Sequence, residues 1–436
     1  MRSNERRVCQ NKNSVLAVAA EKLPRFAGGM NMLAPDFAVP QGHVRDITNM
    51  DVIPGGALRT REGHATLPIV AGDRCHSLYA APGFMLHADG AELKRTTRGG
   101  VTTVASVQLG SPITYTMMPD GAVAFSDGAS AIGKVFATGP AVRLSIQAPG
   151  SPRLTPVDNG LLRAGRYTLA LVWLGVDGEE SPPSLPAAVD LLDGQGITIT
   201  GIPVTPPPGA VAVRVYCSHA NEASLFEAAF LGVGVSTTRI DSPPDGPFLE
   251  TLFEAPFPAC SVIAMVAGRL VGFRGTTLYW SEPFRPGVFR PSTNFLQFPQ
   301  PGSLIAPTLD GVYVGTLGEN GDGEVLFLSG FEFGGQQNRQ VTPYGAYPGT
   351  TVSMPNAPMV GWASPRGFVL AEPSGQVTNI SQDKVVFPGA SRGAAVVREK
   401  DGVRQLIASL APSGANSPFV STGYTEGEVI KGASIQ

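Results

Sequence analysis

Glu282 stands two positions from Trp280, and a carboxylate set against an aromatic platform is what glycoside hydrolysis uses. That reaction needs a second carboxyl group, and no partner for Glu282 stands at a recognisable spacing. Ser126-Asp127-Gly128 opens like a sialidase-type box and then lacks the Thr-Trp that would complete it. His76 and His87 each stand without a second histidine or a serine nucleophile in pattern, so structural or surface roles are expected for both. The run Glu319-Asn320-Gly321-Asp322-Gly323-Glu324 has the composition of a calcium loop but not its spacing, and predicts a hairpin turn. Cys9, Cys75, Cys217 and Cys260 show no CxxC pair, which argues against zinc and against a disulfide scaffold; free thiols are expected. Arg269, Arg274, Arg285 and Arg290 interleave with Phe273, Tyr279, Trp280, Phe284 and Phe289. That composition can grip nucleic acid, although an irregular loop at a sheet edge with its aromatics in the core accounts for it more simply. No catalytic residue, metal or cofactor is assigned, and the chain is not expected to be an enzyme.

The elements that would position these groups are short strands. Of the 436 residues 43% are hydrophobic and 15% charged, while 53 glycines and 39 prolines leave little room for long helices. The formal net charge of −3 argues against a chain built to wrap nucleic acid. The apolar run Val15–Ala20 is too short for a secretory leader, and no stretch approaches the length needed to span a bilayer. A soluble chain is therefore expected. Helical propensity is confined to the segment around Ser14–Leu23, ahead of Pro24 and Gly28-Gly29.

From about residue 76 apolar residues alternate in brief runs between turns. Gly83–Gly90 and Gly121–Gly128 share a glycine entry, an apolar strand and an Asp-Gly exit, and start 38 residues apart. The outline returns at Gly268, Gly311 and Gly367, with steps of 43 and 56 residues. A period near 40 in an all-β chain suggests propeller blades, whose faces are covered only by neighbouring blades. Prolines break that rhythm between residues 148 and 250. There Tyr167, Leu169, Leu171 and Trp173 mark one apolar face, and Val211, Val213, Val215 and Cys217 mark another. The size and the Asp177-Gly178 turn resemble a fibronectin type III-like sandwich. The expected organisation is an extended arm at 1–63, a β-propeller-like domain at 64–147 and 251–436, and an inserted β-sandwich at 148–250.

The arm ends in Asp46–Gly63, where Pro54-Gly55-Gly56 predicts a tight turn and Arg59 and Arg61 flank its exit. The pattern Asn49, Asp51, Pro54, Gly55, Gly56, Ala57, Leu58, Arg61, Gly63 resembles the opening of tailed-bacteriophage virion proteins of the tail hub or nozzle. The loop Tyr279–Phe289 resembles the same proteins. The resemblance implies a structural component of the virion tail, made in the host cytoplasm and placed near the portal and adaptor. It also implies a homo-oligomeric ring, commonly a hexamer, with a lumen through which phage DNA passes, and no membrane partner. Asn49, Asp51, Ile53, Pro54, Gly55, Gly56, Arg59 and Arg61 are the expected subunit-interface residues. Met30, Met32, Leu33, Phe37, Val39, Ile47, Met50 and Ile53 would be costly to leave in water. A second reading is a carbohydrate-binding or carbohydrate-cleaving propeller, such as a receptor-binding tail component.

Overall fold

The computed structural model describes residues 26, 28–45, 50–53, 55–61, 75–176, 178–319, 321–330, 337–381, 384, 385, 387, 389–400, 403–412 and 432–435. Among these the helical segment is a 3-10 turn at Asp36–Ala38, and no helix is long and apolar enough to cross a membrane. The expected helix around Ser14–Leu23 lies outside the described residues.

The arm carries β1 (Gly29–Met30) and β2 (His43–Val44), paired in parallel, and the hairpin β3 (Met50–Val52) and β4 (Leu58–Thr60). Two antiparallel meanders of four strands follow. The first is β5 (Cys75–Ala81), β6 (Phe84–Asp89), β7 (Glu92–Thr97) and β8 (Gly100–Ser106); the second is β9 (Thr114–Met117), β10 (Val123–Ser126), β11 (Ile132–Val135) and β12 (Val142–Arg143). Their matching outline in the sequence comes from matching turns, since Gly83 and Gly121 both take positive φ, 87° and 81°, which a side chain would penalise.

The chain then leaves the meander pattern. It forms β13 (Arg153–Leu162), β14 (Gly165–Gly175), β15 (Ala187–Leu191), β16 (Gln195–Thr200), β17 (Ala210–Ser218), β18 (Leu225–Gly232) and β19 (Thr237–Ile240). These make one sheet in the order β13-β16-β19 and another in the order β15-β14-β17-β18. Tyr167, Leu169, Leu171 and Trp173 meet Val213, Val215, Cys217, Ile197, Ile199 and Ile240 in one apolar core, while Val211 stays half exposed at the strand end. The pairing describes two sheets with a shared core; a fibronectin type III-like connectivity does not follow from it. Ala170, Val172 and Tyr216 point to the opposite side of β14 and β17, where Leu225, Leu249 and Leu252 cover them. The exit segment stays on this sheet, with Leu249 N–H donating to Leu225 O at 2.9 Å.

The meanders resume after β20 (Ala255–Pro256). The third contains β21 (Val262–Val266), β22 (Arg269–Arg274), β23 (Thr277–Trp280) and, beyond a loop holding β24 (Val288–Phe289), β25 (Phe295–Gln297); β24 pairs with β20. The fourth is β26 (Gly302–Pro307), β27 (Val312–Thr316), β28 (Val325–Ser329) and β29 (Gln337–Thr342). The fifth is β30 (Val352–Ser353), β31 (Val360–Ser364), β32 (Gly367–Ala371) and β33 (Val377–Asn379). A three-stranded sheet of β34 (Ala390–Lys400), β35 (Val403–Pro412) and β36 (Gly432–Ile435) ends the series. Inner strands lie side by side from sheet to sheet: β5 with β9, β9 with β21, β21 with β26, and β30 with β34.

Each neighbouring pair of sheets shares a buried apolar cluster. Leu86 and Phe125 belong to the first, Ala124 and Leu270 to the second, Phe273 and Ile305 to the third, Tyr313 and Trp362 to the fourth, Phe368 and Leu406 to the fifth. Sheets that cover one another in sequence are blades, and the fold is all-β and propeller-like with a second β unit between its second and third blades.

The covering of Val172 and Tyr216 by the exit segment sets a boundary that can be measured. A fragment of residues 149–252 should unfold cooperatively in urea, while one ending at 245 should lose about 3 kcal/mol because Leu249 and Leu252 no longer bury apolar area. Equal urea midpoints for the two fragments would remove the exit segment from the sandwich.

Candidate functional site

The arm hairpin is the site that the sequence singles out. Gly56 N–H donates to Ile53 O at 2.9 Å, and Ile53 N–H donates to Ala57 O at 2.9 Å, closing the turn with Gly55 and Gly56 at φ 83° and 77°. Both values lie where a β-carbon clashes, which is why two glycines follow the proline. Asn49 and Pro54 lie outside the described residues. Asp51 is buried and is held by Arg398 of β34 at 2.9 Å, with Arg61 at 3.9 Å from its other oxygen. Phe26 N–H donates to Gly56 O, and Met32 N–H donates to Lys384 O, so the arm is also pinned by its backbone. Arg59 is exposed on β4. The structure thus brings Asp51, Ile53, Gly55, Gly56 and Arg61 together in one hairpin, which Asp51 ties to the last blade of its own chain.

Their docking leaves apolar side chains open. Phe37 is 93% exposed, and Leu33 and Met50 are each 48% exposed.

A second cluster forms where the sandwich returns to the third blade. Arg285 Nη1 and Nη2 donate to Glu254 Oε1 and Oε2 at 2.9 and 2.8 Å, a bidentate pair with the carboxylate almost wholly out of solvent. Glu282 accepts from Asn294 Nδ2 at 2.8 Å and lies 3.6 Å from Arg290 Nε. Burial raises the pKa of Glu254, the Arg285 guanidinium pulls it back, and the charge of Glu282 adds to the rise. Glu254, 28 positions upstream of Glu282, is brought into the same cluster by the pairing of β20 with β24. Nothing local to Glu282 signals this, because Glu254 arrives across a sheet.

Phe253 and Phe284 flank this ion pair, one next to Glu254 and one next to Arg285. Both are 79% exposed, and both hold positive φ, 70° and 56°. Bulky residues occupy that region only when their surroundings over-determine it. Phe284 is held directly: its N–H donates to Gly268 O at 2.8 Å, and its ring lies where a side chain on Gly268 would stand.

The remaining candidates sort into scaffold. Phe273, Trp280 and Phe289 are core residues, Arg269 donates to Ser281 O at 2.9 Å, and Arg285 and Arg290 are taken up by carboxylates. Most of the interleaved set is thus taken up by the core, by ion pairs or by a backbone carbonyl, while Arg274 and the ring of Phe284 stay exposed. Asp127 is a structural acceptor: its carboxylate takes N–H groups of Gln108, Ala129, Ser130 and Ala131 at 2.8 to 3.0 Å. Burial pushes its pKa up, but these four donors outweigh burial and hold it below the usual carboxylate value. Gly318 N–H donates to Asp322 O at 2.6 Å, giving the predicted turn; Asn320 lies outside the described residues. No group of three metal-ligating side chains is present among the described residues. Cys217 and Cys260 are free, and burial pushes both thiols up to about 12.

No family model matches the chain, and no curated protein matches it. Solved structures similar to it include a gluconolactonase from Xanthomonas campestris, at 12% identity over 76% of this chain and 80% of that one, with a TM-score of 0.31. AztD from Citrobacter koseri is similar at 14% identity over 78% and 92%, TM-score 0.27, and the Dos1 propeller at 10% over 83% and 78%, TM-score 0.27. Likenesses this distant assign no activity to the chain. The expectation that the chain is not an enzyme is nonetheless corrected, because these similar structures include an enzyme. The physical reason is that a ring of blades is a scaffold, and chemistry is set by loops that the strand pattern does not describe.

The Glu254–Arg285 pair makes a measurable demand on stability. Arg285→Met should lower the unfolding free energy by about 3–5 kcal/mol in urea, since it leaves a buried carboxylate unpaired. With its folded pKa raised, Glu254 contributes stability that is present below the unfolded carboxyl value and lost as pH rises through the folded one. The Arg285→Met deficit should therefore shrink as the pH is lowered towards 4; a deficit independent of pH would show that Glu254 is not its cause.

Proposed function

We propose that the chain is a structural component of a bacteriophage tail, of the hub, nozzle or adaptor kind, assembling with copies of itself into a ring below the portal. The observation that carries this reading is the arm. It is docked through Asp51 yet leaves Phe37, Leu33 and Met50 open, as expected of a segment completed by a neighbouring subunit or by the adaptor above. The pattern Asn49, Asp51, Pro54, Gly55, Gly56, Ala57, Leu58, Arg61 and Gly63 resembles such virion proteins and supports it. Phe253 and Phe284 offer a second aromatic surface of the kind that anchors protein contacts. The near-neutral charge suits a lumen that lets DNA pass without holding it. Six copies around the tail axis are part of the proposal.

A second reading, a carbohydrate-binding or carbohydrate-cleaving propeller, is favoured by one specific arrangement. Glu254 and Glu282 stand in one cluster beside the exposed ring of Phe284, so the paired carboxylates that such chemistry requires are present in outline.

Assembly separates the two. Light scattering and electron microscopy of the full chain, alone and with portal and adaptor rings, should show a ring. Phe37→Ser should weaken its assembly by roughly ten- to a hundredfold in concentration while the chain stays folded, given about 1.5–3 kcal/mol for one buried phenylalanine. A wild-type chain that stays monomeric in every mixture overturns the structural reading. Loss of polysaccharide binding or cleavage in Glu282→Gln, with assembly intact, promotes the second.

A further inference from the structure

Two sets of apolar side chains on this chain are held in place while open to water, and they belong to different blades. The first is the tip of the arm, where Pro35, Phe37, Ala38 and Pro40 are all exposed within one short run. The tip is braced by its own bonds: Asn31 Oδ1 accepts from Leu33 N–H and Ala34 N–H at 3.2 and 3.0 Å, Ala38 N–H donates to Pro35 O at 2.8 Å, and His43 N–H donates to Pro40 O at 3.1 Å. Pro35 at φ −60°, ψ 155° and Val39 at φ −63°, ψ 121° put extended, polyproline-like backbone on both sides of Phe37. The base of the tip rests at the last blade, since Met32 N–H donates to Lys384 O just ahead of β34 and β1 lies against β36.

The second set is Phe253 and Phe284. Glu254 and Arg285 join their two segments in a bidentate pair, which brings the phenylalanine beside each member to one part of the third blade's surface. Glu254 N–H donates to Thr251 O at 3.0 Å, closing a turn around Phe253, and Phe284 is fixed to Gly268. Neither ring serves the core, yet both residues keep a backbone state that is unfavourable for a bulky side chain. Strain kept at side chains that the core does not use points to a use outside the fold. Gly268 itself has φ 75°, and its missing side chain leaves the space that the Phe284 ring occupies. The rings are therefore set before any partner arrives, which lowers the entropy lost on contact.

We propose that these two sets bind each other between copies of the chain: the tip at residues 35–40 of one copy seats on Phe253 and Phe284 of the next. This rests on the ring of copies proposed above and gives that ring its interface. A closed ring of identical copies has head-to-tail contacts, so each copy must present two unlike surfaces at separate places. The arm tip at the last blade and the aromatic pair on the third, with the fourth and fifth blades between them in the series, meet that requirement. The chemistry matches as well. Prolines in extended backbone pack on aromatic rings, and a preformed segment gives up little freedom when it docks. Arg285 and Glu254 satisfy each other, so the contact is apolar and only weakly sensitive to salt.

Two full-length variants, alone and mixed, test this by analytical ultracentrifugation. Phe253→Asn/Phe284→Asn removes both rings while keeping residues that tolerate positive φ, and Phe37→Ser removes the ring of the tip. Each variant alone should assemble roughly ten- to a hundredfold more weakly than the wild-type chain, with its urea midpoint unchanged. In an equal mixture, at concentrations where each variant alone is monomeric, one intact contact remains per pair. The expected species is therefore a dimer holding one copy of each variant, and not a ring. Should a variant fail to fold, p-benzoylphenylalanine at position 37 of the otherwise wild-type chain decides the matter, since light should join it to residues 250–256 or 282–286 of another copy. Wild-type assembly by the double variant, a ring restored in the mixture, or crosslinks to other residues alone overturns the inference and leaves the ring of copies standing. A wild-type chain that forms no ring in any mixture overturns both.

Discussion

Backbone N–H groups at the margins of the sheets are the constraint on which the rest of this structure depends. A ring of separate sheets has many strand edges, and a buried donor without a partner costs as much as a lost hydrogen bond. Here side-chain hydroxyls meet several of those donors. Ser77 Oγ accepts from Ile113 N, Thr114 and Thr116 accept from Ile263 N and Met265 N, and Ser126 accepts from Cys260 N. Each of these joins one blade to the next without strand pairing. Ser281 and Ser381 do the same within blades, for Leu270 N and Phe368 N, and Ser181, Ser184 and Ser218 do so along β14 of the sandwich. Short polar side chains at inner positions are therefore part of the core, and they let apolar clusters form at the blade faces.

The same economy shapes the attachments. The sandwich is joined through its exit segment, which lies on the outer side of β14 and β17 before reaching Glu254. Glu254 and Arg285 then tie that segment to the long loop of the third blade. One short stretch thus serves the sandwich with its leucines and the ring with its carboxylate. The two exposed phenylalanines sit beside its members, one on each side, and both hold positive φ.

Much of the fold was legible because turns and alternation are local. The glycine entries at 83 and 121, the apolar faces of β14 and β17, and the glycine pair after Pro54 each follow from the residues within a few positions. The candidate sites were less legible. Glu282 reads as a lone carboxylate until β20 pairs with β24, and Asp127 reads as half of a failed motif until its four donors fold around it. The arginine and aromatic run between 269 and 290 has the composition of a binding face, yet Phe273, Trp280 and Phe289 are buried and carboxylates occupy two of its cations. His87 is another case, since it is buried with no hydrogen-bond partner at either ring nitrogen among the described residues, a property of the face it lands on. Long-range pairing carries no local signal, which is why chemistry-bearing residues were placed last.

Arg398 of β34 holds Asp51, a residue 347 positions away. On a chain made from its N-terminus, the arm emerges well before its anchor, with both the sandwich and the middle blades between them. The sandwich, whose strands all lie within residues 153–240, has its strand partners while the last four blades are still being synthesised. The arm spends that whole interval without its anchor, so of the described segments it is the one left longest open to capture by other molecules.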